Sequence, residues 1–157
     1  MKKCPGETRG LLGVKDLAAS CAVPHSLPPV SEQTSNDPLS RMRAYSFARE
    51  LLTVAWSDAE KLSANQMSEK VAGQLYAAIA SIAANIGEGY SRSSGKDRGR
   101  IFEYALGSVR ESMIWYHAAK PVLGDLARER LDKLEEIRRL LLAMIPRERG
   151  KLIRPKS

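Results

Sequence analysis

The chain has 157 residues, 43% of them hydrophobic and 27% charged, which suits one soluble domain with a real core. Its two cysteines, Cys4 and Cys21, form no CxxC and argue against a disulfide framework. Lys2 and Lys3 imitate the charged start of an export signal, but Pro5, Glu7, Arg9, Lys15 and Asp16 interrupt every early apolar run, so no signal peptide and no membrane span is expected. A reducing cytoplasm is the expected compartment.

Residues 1–38 hold no helical or strand period. Pro5, Pro24, Pro28, Pro29 and Pro38 punctuate them, with a polar run from Ser31 to Asp37. They read as a flexible extension, with at most a short helical turn near residues 11–19. Met42 is an alternative start.

Four amphipathic helices follow. The first spans about residues 39–62, with Tyr45, Ala48, Leu52, Ala55, Ala59 and Leu62 three or four apart and Asp37-Pro38 as its start signal. The second spans about 66–86 on Val71, Leu75, Ile79, Ile82 and Ile86. Gly87 and Gly89 are expected to stop it.

Ser94 and Asp97 have capping-box spacing at the start of the third helix, near Lys96. Its stripe is Ile101, Ala105, Val109, Ser112 and Tyr116, widened by Phe102, Leu106, Met113 and Trp115, and Pro121 and Gly124 end or kink it. The fourth runs from about 125 to 145 on Leu134, Ile137, Leu141 and Met144, and Pro146 closes it. Residues 147–157 read as a disordered basic tail. Short connections predict an all-α, antiparallel up-down-up-down bundle over residues 39–146.

Leu140, Leu141 and Leu142 are consecutive, so at about 100° per residue the outer two lie about 200° apart. One seam cannot bury all three. Either one leucine is tolerated outside, or a second interface exists. With Met113 and Trp115, this favours a homo-oligomer.

Chemistry-bearing patterns are scarce. Gly87-Glu88-Gly89 lacks the rest of a phosphate loop. A di-metal bundle site needs Glu-x-x-His pairs, but Ile114 stands three residues before His117, and His25 lies in the extension. Glu88, Glu103 and Glu111 have no spacing that marks them as an acid–base pair. No catalytic residue, metal or cofactor is expected.

The net charge of +7 is more telling. Residues 1–39 and 40–90 are each balanced, 91–127 carry a surplus of two, and 128–157 a surplus of five. A solvated helix face explains part of this. An electrostatic partner such as nucleic acid explains it too. Arg92, Lys96, Arg98 and Arg100 cluster before and within the start of the third helix, with Tyr90 nearby as an aromatic on which a base can stack. Arg147, Arg149, Lys151, Arg154 and Lys156 follow the fourth, opposed only by Glu148. In an up-down-up-down bundle both groups share one pole.

The run Ser81-Ile82-Ala83-Ala84-Asn85-Ile86-Gly87-Glu88-Gly89-Tyr90, then Ser94, Asp97 and Arg100, then residues 104–111 (Tyr-Ala-Leu-Gly-Ser-Val-Arg-Glu), resembles the bacterial ribosomal-RNA intervening-sequence proteins. The resemblance covers about residues 39–145. It implies an antiparallel four-helix bundle and a homopentamer, with no catalytic residues to carry over. A similar bundle is the accessory protein of diversity-generating retroelements, a basic pentamer that contacts a reverse transcriptase and nucleic acid. In this motif Asn85 and Glu88 can satisfy helix-end groups, Gly87 and Gly89 turn the chain, and Gly107 and Ser108 permit close helix contact.

The expected function is a non-enzymatic, oligomeric RNA- or DNA-binding module. The alternative is a protein-interaction module that docks its partner on an outer apolar face.

Overall fold

The structure, a computed structural model, describes residues 37–150. The expected flexible extension lies outside them, apart from Asp37 and Pro38. So do the candidate contacts Lys151, Arg154 and Lys156. The described residues form four α-helices: α1 Arg43–Ser63, α2 Glu69–Tyr90, α3 Gly95–Leu123 and α4 Asp125–Arg149. A 3-10 turn, Pro38–Arg41, precedes α1.

The Asp37-Pro38 start signal opens this short turn rather than α1 itself. The Asp37 carboxylate accepts from the Leu39 N–H at 2.9 Å, and extended Met42 then separates the turn from α1. Along α1 the buried line is Ala44, Ala48, Leu51, Ala55, Asp58 and Leu62. It keeps Ala48, Ala55 and Leu62 of the expected stripe, but Ala44, Leu51 and Asp58 are buried in place of Tyr45, Leu52 and Ala59, which are only half-buried. It includes a carboxylate, Asp58, which no apolar pattern would nominate.

Ser68, before α2, is buried and donates to the Leu62 carbonyl at 2.7 Å, which ties the α1–α2 turn together. Leu75, Ile79, Ile82 and Ile86 are fully buried, as the sequence predicts. Gly87 and Gly89, however, do not stop α2, which continues to Tyr90. Gly89 is instead a packing notch. A Cβ there would lie 2.7 Å from two atoms of the Phe102 ring, so only glycine lets α3 pack this closely.

Ser94 caps α3 by accepting from the Asp97 N–H at 3.4 Å, at the predicted position. Pro121 lies inside the last turn of α3, and Gly124 ends the helix at φ +55, a conformation that favours glycine. Gly124 also starts α4, so a single residue joins the two helices. Gly107 faces outward: a Cβ there would meet nothing within 4 Å, so it makes no close helix contact within the bundle.

Pro146 does not close α4, which runs on to Arg149. Proline removes one helical N–H but leaves the residues beyond it free to bond back. Arg147 and Arg149 are therefore helical residues, not tail residues. Of the three leucines, Leu141 is buried, Leu140 half-buried and Leu142 43% exposed.

The inter-helix contacts pair opposite chain directions. Trp56 of α1 meets Tyr76 of α2, and Gly89 of α2 meets Phe102 of α3. Gly99 of α3 meets Arg149 of α4. Between α1 and α4, Arg43 pairs with Glu136 at 3.0 Å, Lys133 with Glu50 at 2.6 Å and Arg130 with Asp58 at 3.0 Å. This is the pairing that an up-down-up-down order produces. The hydrogen bond from Lys133 also holds the Glu50 carboxyl below its usual range.

Candidate nucleic-acid interface

Helix α3 begins where α4 ends, and Gly99 is the point of contact. A Cβ on Gly99 would lie 3.0 Å from Cγ of Arg149 and 3.6 Å from the Ile145 carbonyl. Two ion pairs span the same junction: Arg98 Nε to Glu148 Oε2 at 2.8 Å, and Arg149 Nη2 to Glu103 Oε1 at 2.5 Å. Arg98 also donates to the Arg92 carbonyl at 2.7 Å, drawing in the α2–α3 link. All six described candidates, Arg92, Lys96, Arg98, Arg100, Arg147 and Arg149, therefore sit at this one end.

Proximity does not leave all of them free. Arg92 pairs with Glu88 one turn before it, and Arg100 lies 3.6 Å from Asp97. Arg98 and Glu148 shield each other, their side chains only 25% and 16% exposed. Lys96 and Arg147 have no ion pair among the described residues. Six basic groups thus face four acidic ones, a surplus of two. Arg100 at 61% and Arg149 at 56% are exposed enough to exchange partners. A cleft of about 710 Å³ opens between Lys96, Arg100 and Arg149, with Asp97 and Glu103 in its wall.

Toward the other end of the bundle two features appear that the sequence did not reveal. The first is a buried polar cluster. Asp58 Oδ2 accepts from the Tyr116 hydroxyl and from Arg130 Nε, both at 3.0 Å. Its Oδ1 finds no donor among the described residues. Burial, reinforced by the adjacent carboxylate, pushes the Tyr116 phenol well above its ordinary range. An Asp one helical turn from Ala55 and Leu62, with a distant Arg to match it, was the available signal.

The second is an apolar groove of about 390 Å³ between α1 and α2, walled by Trp56, Ala59, Ala72, Gly73 and Tyr76. The Trp56 and Tyr76 rings meet edge to face at 5.5 Å between centroids, and Trp56 is 58% exposed. Met67, at the nearby α1–α2 turn, is 91% exposed.

The carboxylates weighed as acid–base candidates have ordinary partners. Glu88 holds Arg92, Glu103 holds Arg149, and Glu111 accepts from Trp115 Nε1 at 3.3 Å. Among the described residues, no group of three His, Cys, Asp or Glu side chains could hold a metal ion. No helix among them is long and apolar enough to cross a membrane.

A solved structure described as a protein of unknown function of the S23 ribosomal protein family, from Bacteroides thetaiotaomicron, has the same fold. Its TM-score is 0.61 at 20% identity, over 65% of this chain and 97% of that one. No curated protein matches the chain. The family profile of the 23S rRNA-intervening sequence proteins matches residues 40–146 and takes in all four helices to the last turn of α4. The chain belongs to the 23S rRNA-intervening sequence protein family.

Proposed function

We propose that the protein is a non-enzymatic nucleic-acid-binding module of the cytoplasm, acting as a homo-oligomer, and that it meets phosphates where the start of α3 packs on the end of α4. The observation that carries this reading is the convergence of Lys96, Arg100, Arg147 and Arg149 at one end. Lys151, Arg154 and Lys156, which follow Gly150 in the sequence, are three further basic residues outside the described ones. A cluster of this kind acts by displacing counterions from phosphates, which needs neither cofactor nor metal. Oligomers repeat the cluster, so weak contacts add.

The test is binding of labelled RNA and DNA across a salt series. Lys96→Gln, Arg100→Gln and Arg147→Gln are combined because they leave the Arg98–Glu148 and Arg149–Glu103 pairs intact. Affinity should fall, and the salt slope should shrink by about 0.7–0.9 for each phosphate no longer neutralised. The helical signal should stay unchanged. Wild-type binding that is absent at low salt, or indifferent to salt, would end this reading.

A second reading places a partner protein, or another subunit, on the apolar groove beside Trp56 and Tyr76, with Leu142 as a further exposed apolar site. The pentamer implied by the resemblance would bury such surfaces. Light scattering at micromolar concentration should give a mass of several subunits. A monomer would remove the oligomeric part of the proposal.

A further inference from the structure

Resting on the nucleic-acid reading, we propose that the ligand is single-stranded and that one unpaired base stacks on Tyr104 while its neighbouring phosphates sit in the Lys96–Arg100–Arg149 cleft.

Tyr104 is 54% exposed on α3, one turn beyond Arg100. At about 100° per residue, Lys96, Arg100, Tyr104 and Gly107 fall within an arc of about 80° on the outward face of the helix. Tyr104 therefore stands next along this face from Arg100, which lines the cleft, and follows Glu103 of its wall in sequence.

The ring is also about half exposed. Among the described residues it has no stacked ring and no cation over its face, unlike Trp56, Tyr45 and Phe47. The positions one turn further on do not cover it. Gly107 has no side chain, and a Cβ built there meets nothing within 4 Å. The Ser108 hydroxyl is turned back onto the Tyr104 carbonyl at 3.2 Å.

A large aromatic that exposes about half its surface, one turn from a cleft of about 710 Å³ walled by three basic and two acidic side chains, has the two parts of a single-strand site, a stacking platform and a backbone groove. A duplex offers the cleft its phosphates but keeps its base faces stacked. Glu111, on the same outward face a turn past Gly107, repels phosphate and limits the track to a short stretch.

The experiment uses the full chain and labelled oligonucleotides of about twelve nucleotides, within the site sizes of such proteins, each as a single strand and as a duplex. RNA and DNA arms separate the two sources of the same chemistry. The single strand should bind more tightly than the duplex at equal salt. Tyr104→Ala should weaken single-strand binding by roughly tenfold, the scale of a single stack, and leave duplex binding alone. Tyr104→Phe should retain the affinity. The melting temperatures should match, since the side chain is exposed. Equal affinity for strand and duplex, or no loss in Tyr104→Ala, would overturn the stacking site and leave the basic cleft standing. A changed oligomer mass in Tyr104→Ala would assign the ring to a subunit contact instead. Failure of the wild type to bind either form would remove both readings.

Discussion

Arginine does opposite work at the two ends of this bundle. At one end Arg130, with a side chain 19% exposed, is committed to a carboxylate that is itself 1% exposed. At the other, Arg100 and Arg149 are more than half exposed and hold Asp97 and Glu103 only at the surface. A buried charge pair is costly to break, because each partner is left without water, whereas a surface pair contributes little and is readily exchanged. The same side chain is therefore structural where it is covered and available to a ligand where it is not. Arg98 lies between these cases. Its pair with Glu148 is partly covered and joins α3 to α4, so it belongs with the structural set although the sequence groups it with the ligand set.

The strongest way to break this comparison is Arg130→Ala. It leaves Asp58 buried without its charge partner, with only the Tyr116 hydroxyl donating to it, and should destabilise the fold by about 3–5 kcal/mol in a denaturant titration. Pairing it as Asp58→Leu with Arg130→Met should recover most of that loss. A single variant as stable as wild type would show that the cluster does not hold the helices together.

Next in size are the glycines. Gly89→Ala forces a methyl group against Phe102 and should cost about 1–3 kcal/mol. Gly107→Ala enters open space on a helix and should stabilise by about 0.5–1 kcal/mol in the same assay. Equal effects at both sites would contradict the packing described for the α2–α3 contact.

The smallest effect concerns pH. Tyr116 has its pKa raised by burial, so its contribution to stability is fully present below the tyrosine value of about 10 in the unfolded chain. It is lost progressively as pH rises above that value, because the unfolded chain ionises and the folded one does not. Near pH 11, folded wild type and Tyr116→Phe should show equal phenolate absorbance. A difference of one phenolate should appear only on unfolding. A difference while both are folded would place Tyr116 in contact with water.

Much of the architecture was legible in the chain itself. Helix number, order and approximate bounds follow from apolar spacing and short links, and the Ser94 cap and the Gly124 turn from local backbone chemistry. These depend on neighbours within a turn or two. The shared basic end was legible too, because alternating helix direction brings the start of α3 and the finish of α4 together. The ring of Tyr104 was read only as part of the family motif, because exposure on an outward arc depends on which face the other helices cover.

What local pattern could not supply was the identity of partners far along the chain. An aspartate in an apolar stripe reads as a surface residue, so the expected stripe of α1 slid to Leu52 and Ala59. Only Tyr116 and Arg130, brought in from 58 and 72 residues away, make Leu51 and Asp58 the buried line. Gly87 and Gly89 read as a stop because glycine ends helices in isolation, while Phe102 makes Gly89 a notch within one. Pro146 likewise lets α4 continue through Arg149, whose aliphatic stem packs on Gly99. Periodicity determined the helices and their order. Tertiary contact alone decided which charges are buried, which glycines admit a neighbour and which arginines remain available, because a side chain's desolvation is set by what packs on it.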